Sequence, residues 1–346
     1  TGFYVYKMVW PHPLSFYYGY AVRDIPEWND PEVWLGIASI VVLLALMVFG
    51  LWRSEPMLWV GALLVFLSLG VYSNLVTPVA GVVGERLAFQ ASLGLVLLLL
   101  PVLVRAANRW SPRPVWVSVA IVCIMASIHT VRRSVLWADR VTLFGHDVHH
   151  LETSAQANAL YAYALLSSGQ NPQADRQTAL VHLDRALSIV PDYPNWWYDK
   201  GRVLWELGRF DESVPAFRAA VRYQDDLFLG PDRYLVDYAI QKRDPVALID
   251  PARRMVRHAS ADVQLHDLLA ESFLMTGRPD SALVYLTLQA DQFPERAEPW
   301  ITMARIHFKM SADSQGLDAL DEAERRSATD PGVRSIVDSL RRSVNE

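Results

Sequence analysis

Sulfur chemistry is nearly absent from this chain: 346 residues include one cysteine, Cys123. It has no partner for an internal disulfide and cannot help build a four-ligand zinc site. It lies in the apolar run "VWVSVAIVCIMASI", where a packed, lipid-screened thiol is expected. Long basic runs are missing too. With a net charge of −5 the chain lacks the electrostatic footprint of a nucleic-acid binder, and no nucleic acid is expected as a partner. The opening "TGFYVYKMVW" has neither an initiator methionine nor the charged leader of a signal peptide, so sequence upstream of Thr1 is expected.

Charge is also missing from long stretches of the first 135 residues. The mean hydropathy is +0.13 although 20% of residues are charged, which implies a membrane module followed by a soluble one. Val33 to Trp52 is free of charge over about 30 Å of helix, one hydrocarbon thickness. Met57 to Leu75, Leu87 to Val104 and Val115 to His129 read as further spans, the last the shortest. Trp10, Trp28, Trp34, Trp52, Trp59, Trp110 and Trp116 lie near their ends, as an aromatic belt requires. The loop carrying Arg105, Arg109 and Arg113 is the most basic and is expected on the cytoplasmic side, with the turn at Arg53. Residues 1–32, the "TPVAGVVGER" loop and everything after the fourth span then lie outside. Arg132, Arg133 and Arg140 oppose this locally, but a large translocated domain largely escapes the rule.

From about residue 150 the pattern changes to paired amphipathic helices with an internal period of about 34 residues, that of a tetratricopeptide repeat. In "NWWYDKGRVLWELGRFDESVPAFRAAV", Trp197, Gly201, Gly208 and Ser213 fall on marker positions of the repeat. Ala270, Gly277 and Ala282 recur at the same spacing in "LHDLLAESFLMTGRPDSALVYLTLQADQFP". Small residues at the eighth and twentieth positions let two helices approach, while large apolar ones fill the seam. Weaker copies flank these, one with about five residues inserted at Asn171 to Arg176, and Pro231 to His258 lacks the marker glycine. The expected fold is all-α: about four transmembrane helices, then an α-solenoid closed by a capping helix at Val333 to Arg342. The expected divisions are 1–32 (outer-face segment), 33–135 (membrane domain), 136–153 (linker) and 154–346 (repeats). Asp147, His149 and His150 in "FGHDVHHLE", just before the first repeat, read as a solvated linker rather than a metal site. A repeat array offers a groove for peptides or partner helices, or else braces a neighbouring domain.

"YSNLVTPVAGVVGERLAF" sets Glu85 and Arg86 at the lip of a span. Its proline, glycines and β-branched residues disfavour helix, and irregular backbone at membrane depth requires shelter by protein or a watery cavity. That reading makes it a re-entrant loop delivering Arg86 to a polar site. The alternative is that Arg86 snorkels to a headgroup while Glu85 caps the next helix.

The segments "WPHPLSFYY", "SNLVTPVAGVVGERLAFQASLG" and "RRSVLWADRVTLF", running into the repeats, resemble the transmembrane and tetratricopeptide-repeat O-mannosyltransferases and their bacterial relatives. Ser73, Asn74, Pro78, Glu85, Arg86 and Ser92 match the family motifs; Phe89 and Ala91 depart from them. The resemblance implies a GT-C superfamily glycosyltransferase that moves a sugar from a polyprenyl-phosphate lipid to protein Ser or Thr hydroxyls. Arg86 and Glu85 would hold the lipid phosphate, with Asn74, Tyr17 and Tyr18 lining the pocket. The catalytic acid would lie upstream of residue 1, so no catalytic residue is assigned. No cofactor or metal ligand is assigned, and the chemistry admits a divalent metal. The expected partners are the bilayer, the lipid-linked donor and an acceptor protein or partner subunit held by the repeats. The expected location is the inner membrane, with the repeats periplasmic. The competing reading is a non-catalytic membrane-anchored scaffold.

Overall fold

The computed structural model describes residues 2–11, 14–16, 27–71, 89–224, 228–258, 262–326 and 330–345. Every regular element among them is an α-helix, and the chain divides into two compact units, Thr1–Asp192 and Tyr193–Glu346.

The first unit begins with α1 (Gly2–Val9), α2 (Pro31–Trp52), α3 (Pro56–Val71), α4 (Phe89–Arg109) and α5 (Pro112–Leu136). Helices α2, α4 and α5 are long and apolar enough to cross a membrane. The sequence reading expected four such spans. Over its described residues α3 has only 16 residues, about 24 Å, while Tyr72 to Leu75 of the expected span lie outside the described residues. The last span also differs from expectation. It is the longest of the set at 25 residues, because Thr130 to Leu136 continue the helix beyond the apolar window.

Glycine governs how these helices pack. Where α3 crosses α4, a methyl group on Gly61 would sit 2.9 Å from the Gly94 carbonyl oxygen, and one on Gly94 would sit 2.7 Å from that of Gly61. Ala62 and Ala91 beside them are fully buried, forming a core with Leu43, Val65, Leu69 and Tyr4. Small residues at a crossing allow backbones to approach closely, the principal source of helix association where no hydrophobic driving force exists. At one end of the bundle Arg105 of α4 donates to Glu55 in the α2–α3 turn at 2.6 Å, so the two turns share that end. No residue of α5 is buried; its apolar side chains face outward all round, as on a helix solvated by lipid. Cys123 is exposed on this surface, so the thiol is not packed inside the protein as expected.

The stretch read as a solvated linker holds α6 (Arg140–Val148), capped by Asp139, whose side chain accepts from the Thr142 amide. Leu143, Asp147 and Val148 are buried, which corrects the linker reading. The first helical pair, α7 (Ala155–Ser168) and α8 (Pro172–Ile189), completes the unit.

The second unit contains four more pairs and a terminal helix: α9 (Pro194–Glu206) with α10 (Phe210–Arg222), α11 (Gly230–Lys242) with α12 (Pro245–His258), α13 (Val263–Met275) with α14 (Pro279–Gln292), α15 (Glu298–Lys309) with α16 (Asp313–Arg326), and α17 (Pro331–Asn345). In each of the five pairs one turn residue is left-handed: Gly169, Gly208, Arg243, Gly277 and Ser311. After the first, the spacing is 35, 34 and 34 residues, whereas Gly169 to Gly208 spans 39. The surplus appears in α8, which has 18 residues where α10 has 13. Arg243 occupies the turn of the pair expected to lack its glycine.

The small residues lie in the seams. Ala270 and Ala282 are buried, and Gly201 packs on the ring of Phe217, which is itself fully buried. That ring stacks on Tyr234 of the next pair at 4.6 Å. A methyl group on Gly201 would sit 2.6 Å from the Phe217 ring. Helix propensity favours alanine by about 1 kcal/mol, but overpacking against a ring that has no room to retreat costs about 1–3 kcal/mol. Gly201→Ala is expected to lower the thermal midpoint of the second unit; an unchanged or raised midpoint would show that the seam has slack.

Candidate functional site

The most tightly determined polar cluster lies where α5 meets α6. Asp147 is completely buried. Its carboxylate receives a two-pronged contact from Arg133, Nη1 to Oδ1 at 2.7 Å and Nη2 to Oδ2 at 2.6 Å. His146 Nδ1 lies 2.7 Å from Oδ1, and the Phe16 amide donates to Oδ2 at 2.8 Å. The Phe16 ring rests on Phe144 with centroids 4.2 Å apart. One carboxylate thus joins the end of a membrane-length helix, the first helix after it and the N-terminal strand of chain at Ser15 and Phe16. Burial pushes the Asp147 carboxyl up, but the hydrogen bonds from Arg133, His146 and Phe16, together with the Arg133 charge, outweigh it and hold the group below the usual carboxylate range.

The second candidate surface belongs to the repeats. Trp205 lies edge-on to Phe210, Phe217 and Tyr234, and Tyr198 lies edge-on to Phe228 and Tyr234. Burial raises the Tyr198 hydroxyl above its ordinary value, with the neighbouring Tyr234 adding to the effect. Arg202 stands over the Tyr198 ring at 5.8 Å and faces Asp199 and Glu206. Trp197 is half-buried, with the Lys200 ammonium 5.2 Å from its ring.

Glu85, Arg86, Asn74, Tyr17 and Tyr18 lie outside the described residues, as do Ser73 and Pro78 of the motif. Ser92 is on the first turn of α4 and donates to the Phe89 carbonyl at 2.6 Å. Gly208 and Gly277 form repeat turns, with φ of 75° and 71°. His149 and His150 are exposed, and among the described residues no group of three or more potential ligands could hold a metal. The Arg133–Asp147 pair escaped sequence reasoning. Its only signal is an arginine at the end of an apolar helix, with an acid on the buried face of the next short amphipathic one.

No family model matches the chain. Among curated proteins it is similar to "Protein O-mannosyl-transferase TMTC1" of Homo sapiens, 26% identical over 189 residues, which is 52% of this chain and 21% of the human protein. The chain therefore spans about a fifth of that relative. Among solved structures, YrrB, described as a TPR protein with an unusual peptide-binding site, is 18% identical and covers 57% of this chain and 97% of its own, with a TM-score of 0.37. The Naa15/Naa10 assembly bound to HypK-THB is 16% identical, covering 59% of this chain and 31% of its own, with a TM-score of 0.46. The P58(IPK) TPR domain is 16% identical over 58% of this chain and 59% of its own, at 0.30. The repeat assignment rests on the helical pairs and left-handed turns described above.

Removing one partner of a buried pair strands the other charge, at a cost of about 3–5 kcal/mol. Arg133→Ala is expected to lose that much, measured by denaturant unfolding in detergent, and Arg133→Ala with Asp147→Leu to lose clearly less. Equal losses would mean that the pair is not coupled. Because the folded carboxyl titrates below its ordinary 3.8, its contribution is complete above that value and is lost as pH falls below it through the lowered folded value.

Proposed function

We propose that these residues belong to a membrane glycosyltransferase that takes a sugar from a polyprenyl-phosphate lipid and transfers it to Ser or Thr hydroxyls of proteins on the non-cytoplasmic side. The observation that carries the reading is the order of parts: membrane-length helices, a buried arginine–aspartate joint, then repeat helices, within a chain similar over half its length to a protein named as an O-mannosyl-transferase.

In this reaction a bond forms between the acceptor oxygen and the anomeric carbon, and the bond from that carbon to the phosphate oxygen breaks. The acceptor proton leaves to a base, and the electron pair stays on the lipid phosphate. That developing charge needs fixed positive charge beside it, and a guanidinium fork matches phosphate oxygens. Arg86 takes this role, with Glu85 orienting it and Asn74, Tyr17 and Tyr18 lining the donor pocket. No carboxylate in these residues is assigned as the base. The N-terminal segment tethered through Phe16 to Asp147 leads directly into Tyr17 and Tyr18. The joint would therefore hold that segment beside the first repeat, and the repeats would present the acceptor chain.

Arg86→Ala in the full-length protein is expected to reduce transfer from a polyprenyl-phosphate sugar by about a hundredfold or more, the scale of losing one preorganised electrostatic contact to the transition state. Membrane insertion should be unchanged. Arg132→Ala serves as the control at an exposed arginine. Normal transfer by the Arg86 variant would remove that residue from the site. Absence of transfer by the unaltered protein, with every donor and acceptor tried, would favour the scaffold.

A further inference from the structure

A feature of the second unit unrelated to glycosyl transfer is a cleft of about 420 Å³ with α10 and α12 as walls and α11 as base. Its floor is apolar, formed by Val214, Val221 and Leu235. Its rim is basic: Arg218 and Arg222 project from α10 one turn apart, and Arg254 faces them from α12. Asp250 is the only acid among the described residues of the lining, and it is engaged by Arg253 at 2.9 Å.

The three rim arginines are not equivalent. Arg254 is set in place from behind: its Nε and Nη2 both donate to Oδ1 of Asp232, at 3.0 and 2.6 Å, and Asp232 is almost wholly buried. Its charge is thereby largely balanced while its orientation is fixed, so it acts as a rigid wall of further N–H donors. Arg218 and Arg222 are exposed, and no carboxylate among the described residues lies within ion-pair distance of either. Two guanidinium groups with no carboxylate partner among the described residues therefore flank an apolar trough.

From this arrangement we infer that the α10–α12 cleft is a docking site for an acidic peptide segment of a partner protein, one that alternates carboxylates with apolar side chains. The spacing supports it. Residues four apart on a helix lie about 6 Å apart, and alternate residues of an extended peptide lie about 6.6 Å apart. Two carboxylates of one strand can therefore meet Arg218 and Arg222 while the residue facing the other way enters the trough. Arginine forks, rather than lysine point charges, match carboxylates in this way. An anionic headgroup would satisfy the charge but would leave the trough without a side chain to fill it.

The test uses the whole chain in nanodiscs of zwitterionic lipid. The probes are a fluorescein-labelled peptide of about twelve residues alternating Glu and Leu, and its counterpart with Lys for Glu. The Glu peptide should bind and the Lys peptide should not. Arg218→Glu with Arg222→Glu should weaken binding by about tenfold or more, and high salt should do the same because the rim is exposed to screening. Both residues are on the surface, so the variant should keep the thermal midpoint of the unaltered protein. Arg218→Lys with Arg222→Lys should recover part of the affinity. Equal binding of the Glu peptide by the unaltered and reversed proteins would overturn the assignment. So would a reversed protein altered only in its response to phosphatidylserine added to the nanodisc. None of these readouts involves sugar transfer.

Discussion

The contact on which the first unit depends most is the two-pronged bond between Arg133 and Asp147. A carboxylate with no exposure to water is costly unless its lone pairs are occupied. Here a guanidinium, an imidazole and a backbone amide occupy them. Each donor comes from a different stretch of chain, or from the residue next door, so meeting the carboxylate's electrostatic demand also fixes geometry. The end of α5, the start of the helices beyond it and the Ser15–Phe16 segment must all converge on one point. A hydrophobic contact of the same area would be stronger per unit of desolvation but would tolerate sliding. The ion pair restricts the junction to one arrangement.

The same pair changes how much free charge Arg133 carries. It is engaged by Asp147 and mostly covered, whereas Arg105, near the end of α4, is offset by Glu55 only across a solvent-exposed contact.

Much of the fold was legible because its physics is local. A run of twenty uncharged residues needs no tertiary knowledge to be read as α2, and a glycine at a fixed interval between two amphipathic segments marks a turn wherever it occurs. The repeats were found on those grounds, down to the surplus residues that lengthen α8. Tertiary partnership was not legible. The segment 136–153 reads as linker because polar residues, among them Asp139, Arg140, Asp147, Glu152 and three histidines, interrupt its apolar ones throughout. Only the position of Arg133 one element earlier makes Asp147 an interior residue. The extension of α5 past His129 escaped for a related reason: Arg132 and Arg133 end an apolar window but do not end a helix. At the candidate site Glu85 and Arg86 stand out by their charge at membrane depth, a criterion that points to chemistry without placing it.

Two of the five repeat turns have a side chain where the backbone is left-handed: Arg243 and Ser311. Such a conformation is strained by roughly 1–2 kcal/mol for any residue with a β-carbon, and in arrays held mainly by contacts between neighbours that strain stays local. The hairpins of α11–α12 and α15–α16 are therefore the weak rungs of the ladder, where amide protons should exchange soonest. The unit is built to loosen by sections, with the rungs on either side still closed.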